Sequence, residues 1–200
     1  MIVEKETELI LASSSPRRQE LIRSLGLPVR IIPSDADETV DEEWNPAKIV
    51  ETLAERKAFA VIGSLPKEER KGVVIGSDTI VVLNGRVFGK PKDEADAADM
   101  LSMLQGRDHE VFSGVALIDA VGGRKLTSHR VTRVWMKRLD AERIRRYIST
   151  GEPKDKAGAY AIQGIGATIV DRIEGDYFNV VGLPLSMVSD MLEEMDIRVL

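Results

Sequence analysis

The feature that most constrains the fold is a long β-rich segment, GVVIGSDTIVVL, at residues 72–83. Apolar runs of this kind are typical of buried strands, and the Asn-Gly pair at 84–85 is a strong signal for a tight hairpin turn before RVFG. A polar insert, GSDT at 76–79, interrupts the apolar pattern. The segment therefore predicts a β-hairpin whose first strand is broken at this insert.

Helical and strand patterns alternate along the rest of the chain. Apolar spacing and capping signals predict helices from Pro16, from Asn45-Pro46, from Asp93 to about Leu104, from Asp140 to Gly151, and from about Pro184 to about Met195. Strands are predicted at 9–11, at 29–33 and in two long stretches of 109–137 around Gly122-Gly123, whereas the glycine-rich residues 155–184 are expected to form loops and short strands. Because hairpins occur among the helices, we expect a single α/β domain over 1–200 with a mixed β-sheet flanked by helices.

Composition excludes several classes of function. A net charge of −5 over 200 residues argues against general nucleic-acid binding, which needs a basic surface. The absence of cysteine excludes thiol catalysis and cysteine-bound zinc, and two histidines are too few for a typical zinc cluster, so a metal would be held by carboxylates. No apolar run is long enough to span a membrane and the N-terminus lacks signal-peptide features, so we expect a cytoplasmic protein with no membrane partner.

A candidate anion site lies in the segment LASSSPRRQEL at 11–21, which has the pattern of a strand, a tight loop and a helix. Pro16 suits the first helical position and Ser15 is a good N-cap. A helix N-terminus with serine hydroxyls and the guanidinium groups of Arg17 and Arg18 would bind a phosphate. The alternative is a capped helix with two solvated arginines.

Two further candidates are charged residues in apolar surroundings. Asp78 stands between the two apolar runs of 72–83, where a carboxylate is costly unless it is paired, protonated or bound to a metal. The alternative is a structural aspartate at a β-bulge. Lys57 shares the apolar stripe of its predicted helix and could bind phosphate beside the two arginines, or its side chain could simply extend to solvent.

Three other segments carry weaker candidates. Gly89-Lys90-Pro91 is a rigid turn that presents Lys90, or only a surface turn, and it does not match a P-loop. Small residues are frequent in the segment DKAGAYAIQGIG at 155–166, which suggests that its backbone packs closely against another group of the protein or a ligand. The amide of Gln163 offers the donor and acceptor that a nucleobase edge requires.

An acidic loop could hold a divalent cation, although such loops are more often simply solvated. Its acidic residues are Asp37, Glu38, Asp41, Glu42 and Glu43. His109 and His129 show no partner pattern, so no catalytic role is assigned to them. A local anion site, scattered cations and carboxylates suited to magnesium together point to hydrolysis of a phosphoanhydride with water as the nucleophile.

The chain also resembles the Maf family of nucleoside triphosphate pyrophosphatases, once described as septum-formation inhibitors. The resemblance spans nearly the whole chain and rests on LILASSSPRRQEL, GSDT, GKP, EPKDKAGAYAIQG and IEGDYFNVVGLPL, in that order. It implies an α/β fold with an elongated mixed sheet and a deep nucleotide cleft, related to inosine triphosphate pyrophosphatases. It also implies cleavage between the α and β phosphates with a divalent cation, Mg²⁺ or Mn²⁺, and a homodimer.

The resemblance assigns roles to individual residues. Asp78 would be the catalytic carboxylate that acts on water, and Glu38 would assist at the metal or the triphosphate, so that Glu38 and Asp78 are the candidate metal ligands. The remaining substrate-binding candidates are Ser13, Ser15, Arg17, Arg18, Lys57, Thr79, Lys90 and Gln163.

Three of these positions discriminate between branches of the family. Arg17, Thr79 and Gln163 match the branch specific for dTTP and UTP, with modified pyrimidine triphosphates as further candidate substrates. The sister branch, which acts on 7-methylguanosine triphosphate, has a different arginine context in the loop, glutamine after the catalytic aspartate and glutamate in place of Gln163. An amide can pair with the O4 acceptor and N3–H donor of uracil or thymine, whereas a carboxylate only accepts. The alternatives are a 7-methyl-GTP pyrophosphatase and a non-catalytic, nucleotide-sensing regulator of septum formation.

Overall fold

The helices and strands begin and end close to the predicted positions. The computed structural model describes residues 8–41 and 43–200, so Glu42 of the acidic loop lies outside the described residues. The strands are β1 (Leu9–Leu11), β2 (Val29–Ile31), β3 (Val73–Leu83), β4 (Arg86–Phe88), β5 (Asp108–Asp119), β6 (Lys125–Met136) and β7 (Val170–Glu174). The α-helices are α1 (Pro16–Arg23), α2 (Pro46–Ser64), α3 (Glu94–Leu104), α4 (Ala141–Ser149), α5 (Tyr177–Val181) and α6 (Leu185–Glu194). Short 3₁₀ turns cover Lys67–Glu69, Glu152–Asp155, Ala157–Ala159 and Gly164–Thr168.

The strands form one mixed sheet, as predicted. Within the described residues it has seven strands in the order β2-β1-β3-β5-β6-β7, with β4 paired to β3. β1 pairs in parallel with both β2 and β3, whereas the β3–β4 and β6–β7 pairs are antiparallel. The hairpin between β3 and β4 turns at Asn84 and Gly85, which both have positive φ as a tight two-residue turn requires. The α/β class with a mixed sheet is therefore confirmed.

The chain divides into two compact units, and β3, β5 and β6 each contribute residues to both. The first unit contains the described residues up to Asp78, Ser113–His129 and Gly182–Leu200, and the second contains Thr79–Phe112 and Arg130–Val181. In the first unit, apolar side chains of α2 pack with those of β1 and β3. In the second, α3 and α4 pack with β4, β5 and β6 around Phe88, Leu101 and Leu104. Each unit therefore has its own apolar core.

Close contact between α2 and the sheet orients the polar part of β3. A Cβ atom added at Gly76 would lie 1.9 Å from the Ala54 carbonyl oxygen, so the backbone of α2 lies directly on the strand there. Residues two apart on a strand share a face, so Asp78 points to the same side as Gly76. Lys57, three residues after Ala54 on α2, is therefore close to Asp78.

One local prediction is wrong and two hold only in part. β3 runs without a break through 76–79, because Gly76 admits α2 and Asp78 is paired where it is buried. Ser15 occupies the N-cap position of α1 but its side chain makes no capping hydrogen bond; its N–H binds the Ser13 hydroxyl oxygen instead. Only 170–174 of the glycine-rich segment 155–184 forms a strand, and 3₁₀ turns and α5 replace the other expected strands.

The helix predictions for α2, α3 and α4 are confirmed together with their capping bonds, and α6 lies where a helix was predicted but has no side-chain capping bond. The side chains of Asn45, Asp93 and Asp140 each accept a backbone N–H from the third residue that follows, at the starts of α2, α3 and α4. Among the described residues, no helix has both the length and the apolar character needed to cross a bilayer.

Candidate active site

A lysine between two carboxylates forms the centre of the candidate site, in the first unit. Lys57 Nζ donates to Asp78 Oδ1 at 2.5 Å and lies 2.7 Å from Glu38 Oε1. The side chains of Lys57 and Asp78 are only 12% and 11% exposed, whereas that of Glu38 is 55% exposed. The ammonium group therefore compensates a nearly buried carboxylate and also holds a carboxylate of the acidic loop. Lys57 does not extend to solvent, and Asp78 lies within β3, which runs from Val73 to Leu83.

Arg18 ties the start of α1 to the strand that carries Asp78. Its Nε donates to the Gly182 carbonyl oxygen at 2.8 Å and its Nη1 donates to the Ser77 carbonyl oxygen at 2.9 Å. The Ser77 hydroxyl donates to the same Gly182 oxygen at 3.2 Å. Burial lowers the pKa of the Arg18 guanidinium, and the Asp78 carboxylate opposes that shift. The alternative of two solvated arginines is therefore wrong for Arg18, which contacts the backbone next to Asp78.

The serine loop lies between β1 and α1. Ser13 is buried; its hydroxyl oxygen accepts from the Ser15 N–H at 3.2 Å and its carbonyl oxygen accepts from Gln19 Nε2 at 3.3 Å. β1 pairs with β3 only at 73–75, so Asp78 lies on β3 beyond the carboxyl end of β1. Ligands of open α/β sheets bind at the carboxyl ends of parallel strands. Half-buried Arg17, in the first turn of α1, is close in the chain to this loop.

The acidic loop contributes one carboxylate to this cluster. Asp37 Oδ1 accepts from the hydroxyl and the N–H of Thr39, and these hydrogen bonds lower the pKa of Asp37. Asp41 Oδ1 accepts from the Glu43 N–H. Both aspartates therefore stabilise turns, and of the loop's acidic residues that the structure describes, only Glu38 contacts Lys57.

The carboxylates of Glu38 and Asp78 suit a divalent cation that phosphate and water also bind. Within 8–41 and 43–200, no group of three or more His, Asp or Glu side chains could hold a metal ion. Glu38 and Asp78 nevertheless each have one carboxylate oxygen in contact with Lys57 Nζ, so the two carboxylates lie close to each other. Mg²⁺ is usually bound by one or two carboxylates, substrate phosphates and water rather than by a complete protein cage. Two carboxylates are therefore sufficient for such an ion.

The other sequence candidates belong to the second unit. Thr79 follows Asp78 on β3, and Lys90 is exposed just after β4. Gln163 is half-buried and immediately precedes the 3₁₀ turn Gly164–Thr168. The roles assigned to these three side chains stay predictions.

Sequence reasoning gave no role to two polar features of the second unit, the buried pair of His109 and Tyr160 and the half-buried Glu152. His109 Nε2 lies 2.6 Å from the Tyr160 hydroxyl oxygen, and burial lowers the pKa of His109 to about 4 and raises that of Tyr160 above its ordinary value. Glu152 accepts hydrogen bonds from Tyr147 and from backbone N–H groups. The only available signal for Glu152 was its place at the start of the motif EPKDKAGAYAIQG, because no residue spacing predicts how the turns between Tyr147 and Gly166 bring these partners together.

The fold and the cluster together define a class of protein: a mixed-sheet α/β protein with cations and carboxylates gathered near a serine- and arginine-bearing helix N-terminus, suited to a phosphorylated ligand. The solved structure of the Staphylococcus aureus Ham1 protein has this fold, with a TM-score of 0.50 at 13% identity over 94% of this chain and 99% of that chain. The chain belongs to the Maf family, because the family model described as Maf-like protein matches residues 8–195.

Close relatives have names that specify an activity. The dTTP/UTP pyrophosphatase of Pelotomaculum thermopropionicum is 52% identical over 193 residues, which cover 96% of this chain and 99% of the relative. The dTTP/UTP pyrophosphatase of Moorella thermoacetica is 51% identical over 186 residues, 93% of this chain and 94% of the relative. That of Alkaliphilus metalliredigens is 50% identical over 186 residues, 93% of this chain and 95% of the relative. The similarity therefore extends over nearly the whole of each chain.

Proposed function

We propose that this protein is a nucleoside triphosphate pyrophosphatase that hydrolyses dTTP and UTP to the monophosphate and pyrophosphate. The observation that carries the proposal is the Lys57 ammonium group held between Asp78 and Glu38, beside the half-buried Arg18. The names of relatives about half identical in sequence support the substrates. A charged cluster of this kind suits phosphoryl chemistry, in which catalysis depends mainly on positioning and charge neutralisation.

Asp78 is the proposed general base. Its carboxylate accepts a proton from the attacking water while the water oxygen forms a bond to the α-phosphorus. The bond from that phosphorus to the α–β bridging oxygen breaks, and its electron pair leaves with pyrophosphate. Lys57 holds the carboxylate in place through Oδ1 and keeps a positive charge beside it. The hydrogen bonds of Arg18 to the Ser77 and Gly182 carbonyl oxygens keep the backbone before Asp78 in position.

Phosphate binding is proposed for the serine loop and the cations of the site. Ser13 and Ser15 stand just before the N-terminus of α1, whose partial positive charge favours an anion. Arg17, Arg18, Lys57 and Lys90 supply further positive charge. Thr79 and Gln163, with Arg17, are proposed to select the base.

Glu38 and Asp78 would hold the divalent cation, Mg²⁺ or Mn²⁺. When bound, the ion would neutralise phosphate charge and make the bound water a better nucleophile. Glu38 and Asp78 would then bind both the Lys57 ammonium group and the metal ion.

We also propose a homodimer, following the family resemblance. Light scattering of the purified protein measures its mass in solution.

A product assay with Asp78→Asn tests the proposed reaction. Purified protein with Mg²⁺ or Mn²⁺ is given dTTP, UTP, CTP, dATP, GTP and 7-methyl-GTP, and pyrophosphate is measured separately from orthophosphate. We expect pyrophosphate from dTTP and UTP and a loss of at least about 1000-fold in kcat for Asp78→Asn. The matched control is Asp99→Asn, an exposed aspartate of α3, which should retain full activity.

Three outcomes would contradict parts of the proposal. Orthophosphate as the product would exclude cleavage between the α and β phosphates. Preferred turnover of 7-methyl-GTP would assign the chain to the sister branch. Nucleotide binding without turnover by the wild-type protein would favour a non-catalytic sensor.

A further inference from the structure

The carboxylate of Glu152 is committed to the backbone that follows Gln163. Glu152 Oε2 accepts from the Ile165 N–H at 3.0 Å, and Oε1 accepts from the Gly166 N–H at 2.9 Å. Both N–H groups belong to the 3₁₀ turn Gly164–Thr168, for which Gln163 is the N-cap residue. A carboxylate at such an N-terminus satisfies backbone donors that would otherwise lack partners. Glu152 therefore fixes the turn that begins directly after Gln163.

The glycines around Gln163 allow this approach. A Cβ atom at Gly164 would lie 2.8 Å from Glu152 Oε2, and one at Gly166 would lie 2.8 Å from Glu152 Oε1 and 2.6 Å from the Tyr147 hydroxyl oxygen. Gly164 also has a φ of +61°, which disfavours other residues. The absence of side chains at Gly164 and Gly166 therefore leaves room for the Glu152 carboxylate.

Tyr147 fixes the backbone on the other side of Gln163. Its hydroxyl group donates to Glu152 Oε1 at 2.9 Å and accepts from the Ala161 N–H at 3.1 Å. The ring is buried against the core of the second unit, so the hydroxyl group has a fixed position. The pair Tyr147–Glu152 therefore holds the chain both two residues before Gln163 and two and three residues after it.

We propose that Glu152, together with Tyr147, is a positioning residue for base selection by Gln163. The inference rests on the proposed function, in which Gln163 contacts the base. An amide alone does not separate uracil from cytosine, because rotating it by half a turn exchanges its donor and acceptor. Selection also requires the amide to reach the base edge at a defined distance and angle, and a backbone held on both sides of Gln163 supplies that placement.

Steady-state kinetics with Glu152→Gln test this role. The carboxamide keeps one acceptor oxygen but turns an NH₂ group toward a backbone N–H, so one of the two backbone bonds is lost. We expect the ratio of kcat/KM for UTP to kcat/KM for CTP to fall about tenfold, mainly through a higher KM for UTP, with kcat at saturating UTP little changed. Tyr147→Phe should shift the ratio in the same direction by less, and serves if Glu152→Gln does not fold. Glu142→Gln is the matched control, because its side chain is 69% exposed and pairs with Arg146 on the same helix at 3.8 Å.

A double-mutant cycle with Gln163→Ala separates positioning from a general structural effect. If Glu152 acts through Gln163, Glu152→Gln should leave the UTP-to-CTP ratio unchanged once Gln163 is alanine. An equal loss for both nucleotides, or a full change in the ratio in the Gln163→Ala background, would overturn the proposal.

Binding measurements test the positioning role of Glu152 independently of whether the protein hydrolyses these nucleotides. The affinities of the non-hydrolysable α,β-methylene analogues of UTP and CTP are measured by calorimetry for the same variants. A lower preference for the UTP analogue in Glu152→Gln supports the positioning role, whether or not the wild-type protein hydrolyses either nucleotide. Absence of hydrolysis by the wild-type protein would overturn only the proposed reaction. An unchanged preference overturns the positioning role whatever the turnover.

Discussion

Lys57 shows how one side chain can serve both stability and chemistry. Its Nζ lies 2.5 Å from the nearly buried Asp78 carboxylate, and it also reaches Glu38 in the acidic loop, which Arg56 contacts as well through the Asp37 and Thr39 carbonyl oxygens. A buried ion pair adds little to stability compared with an apolar pair, but the loss of one partner leaves an uncompensated charge. The cost of removing Lys57 therefore depends on whether Asp78 remains.

Lys57→Met should therefore be partly rescued by a second substitution. We expect Lys57→Met to lower the free energy of unfolding by about 2–3 kcal/mol and kcat/KM by about 100-fold, because Asp78 loses its cation. In Lys57→Met/Asp78→Asn about half of the stability should return without any activity. Urea unfolding and the pyrophosphate assay measure the two effects. Lys125→Met breaks a half-exposed pair with Glu55, which keeps its hydrogen bond from Thr127, so stability should change by less than about 1 kcal/mol. Additive losses in Lys57→Met/Asp78→Asn would contradict the pairing of Lys57 with Asp78.

At the scale of elements, the contact of α2 with the sheet sets the distance between Lys57 and Asp78. α2 crosses β3 at Gly76 and β5 at Gly114, where an added Cβ would lie 1.9 Å from the Ala54 oxygen and 2.3 Å from the Val50 oxygen. Both obstacles are backbone atoms, which cannot rotate away. The two glycines therefore hold the helix at a separation that side chains would increase.

Gly76→Ala and Gly63→Ala should have opposite effects on stability. Alanine at 76 must push α2 away from β3, so we expect a loss of about 2–4 kcal/mol and a loss of activity through the displaced Lys57. Gly63, near the end of the same helix, has open space around its Cβ position. Alanine there should add about 0.5–1 kcal/mol and leave kcat unchanged. Thermal and urea unfolding of both variants measure these changes in stability. An unchanged free energy of unfolding for Gly76→Ala would mean that the position of α2 does not depend on its contact with Gly76.

At the scale of the whole molecule, the buried pair of His109 and Tyr160 links folding to pH. His109 is 3% exposed and its pKa is lowered from 6.5 to about 4, mainly by burial. Between these pH values the unfolded chain binds a proton that the folded chain does not. The free energy of unfolding therefore falls as the pH is lowered from about 6.5 toward 4, and this contribution is constant above that range.

His109→Gln should remove this pH dependence. The contribution of His109 at pH 5 is a loss of about 2 kcal/mol relative to pH 7.5, obtained from its two pKa values. An amide can still hydrogen-bond to the Tyr160 hydroxyl group but does not titrate. Urea unfolding at pH 7.5 and pH 5 should show a smaller difference for the variant than for the wild-type protein. Equal differences would mean that folding does not lower the pKa of His109.

The sequence by itself determined the secondary structure wherever the cause lies within a few residues. Pro16 begins α1, Asn45 caps α2, and the Asn84-Gly85 pair turns the hairpin, because φ restriction, side-chain capping and tolerance of positive φ are local properties. The identity of the candidate residues was likewise visible in the family motifs. The supposed break at 76–79 was wrong because a polar residue in an apolar run can be paired from another element.

Only the tertiary structure decided which groups meet. Lys57 reaches Asp78 because α2 rests on Gly76, and Glu152 binds the backbone beyond Gln163 because two glycines leave room for its carboxylate. Neither contact has a local signal, since residue spacing along the chain does not specify which face of one element packs on another. Packing makes that choice, because buried charges and backbone N–H groups must find partners in three dimensions.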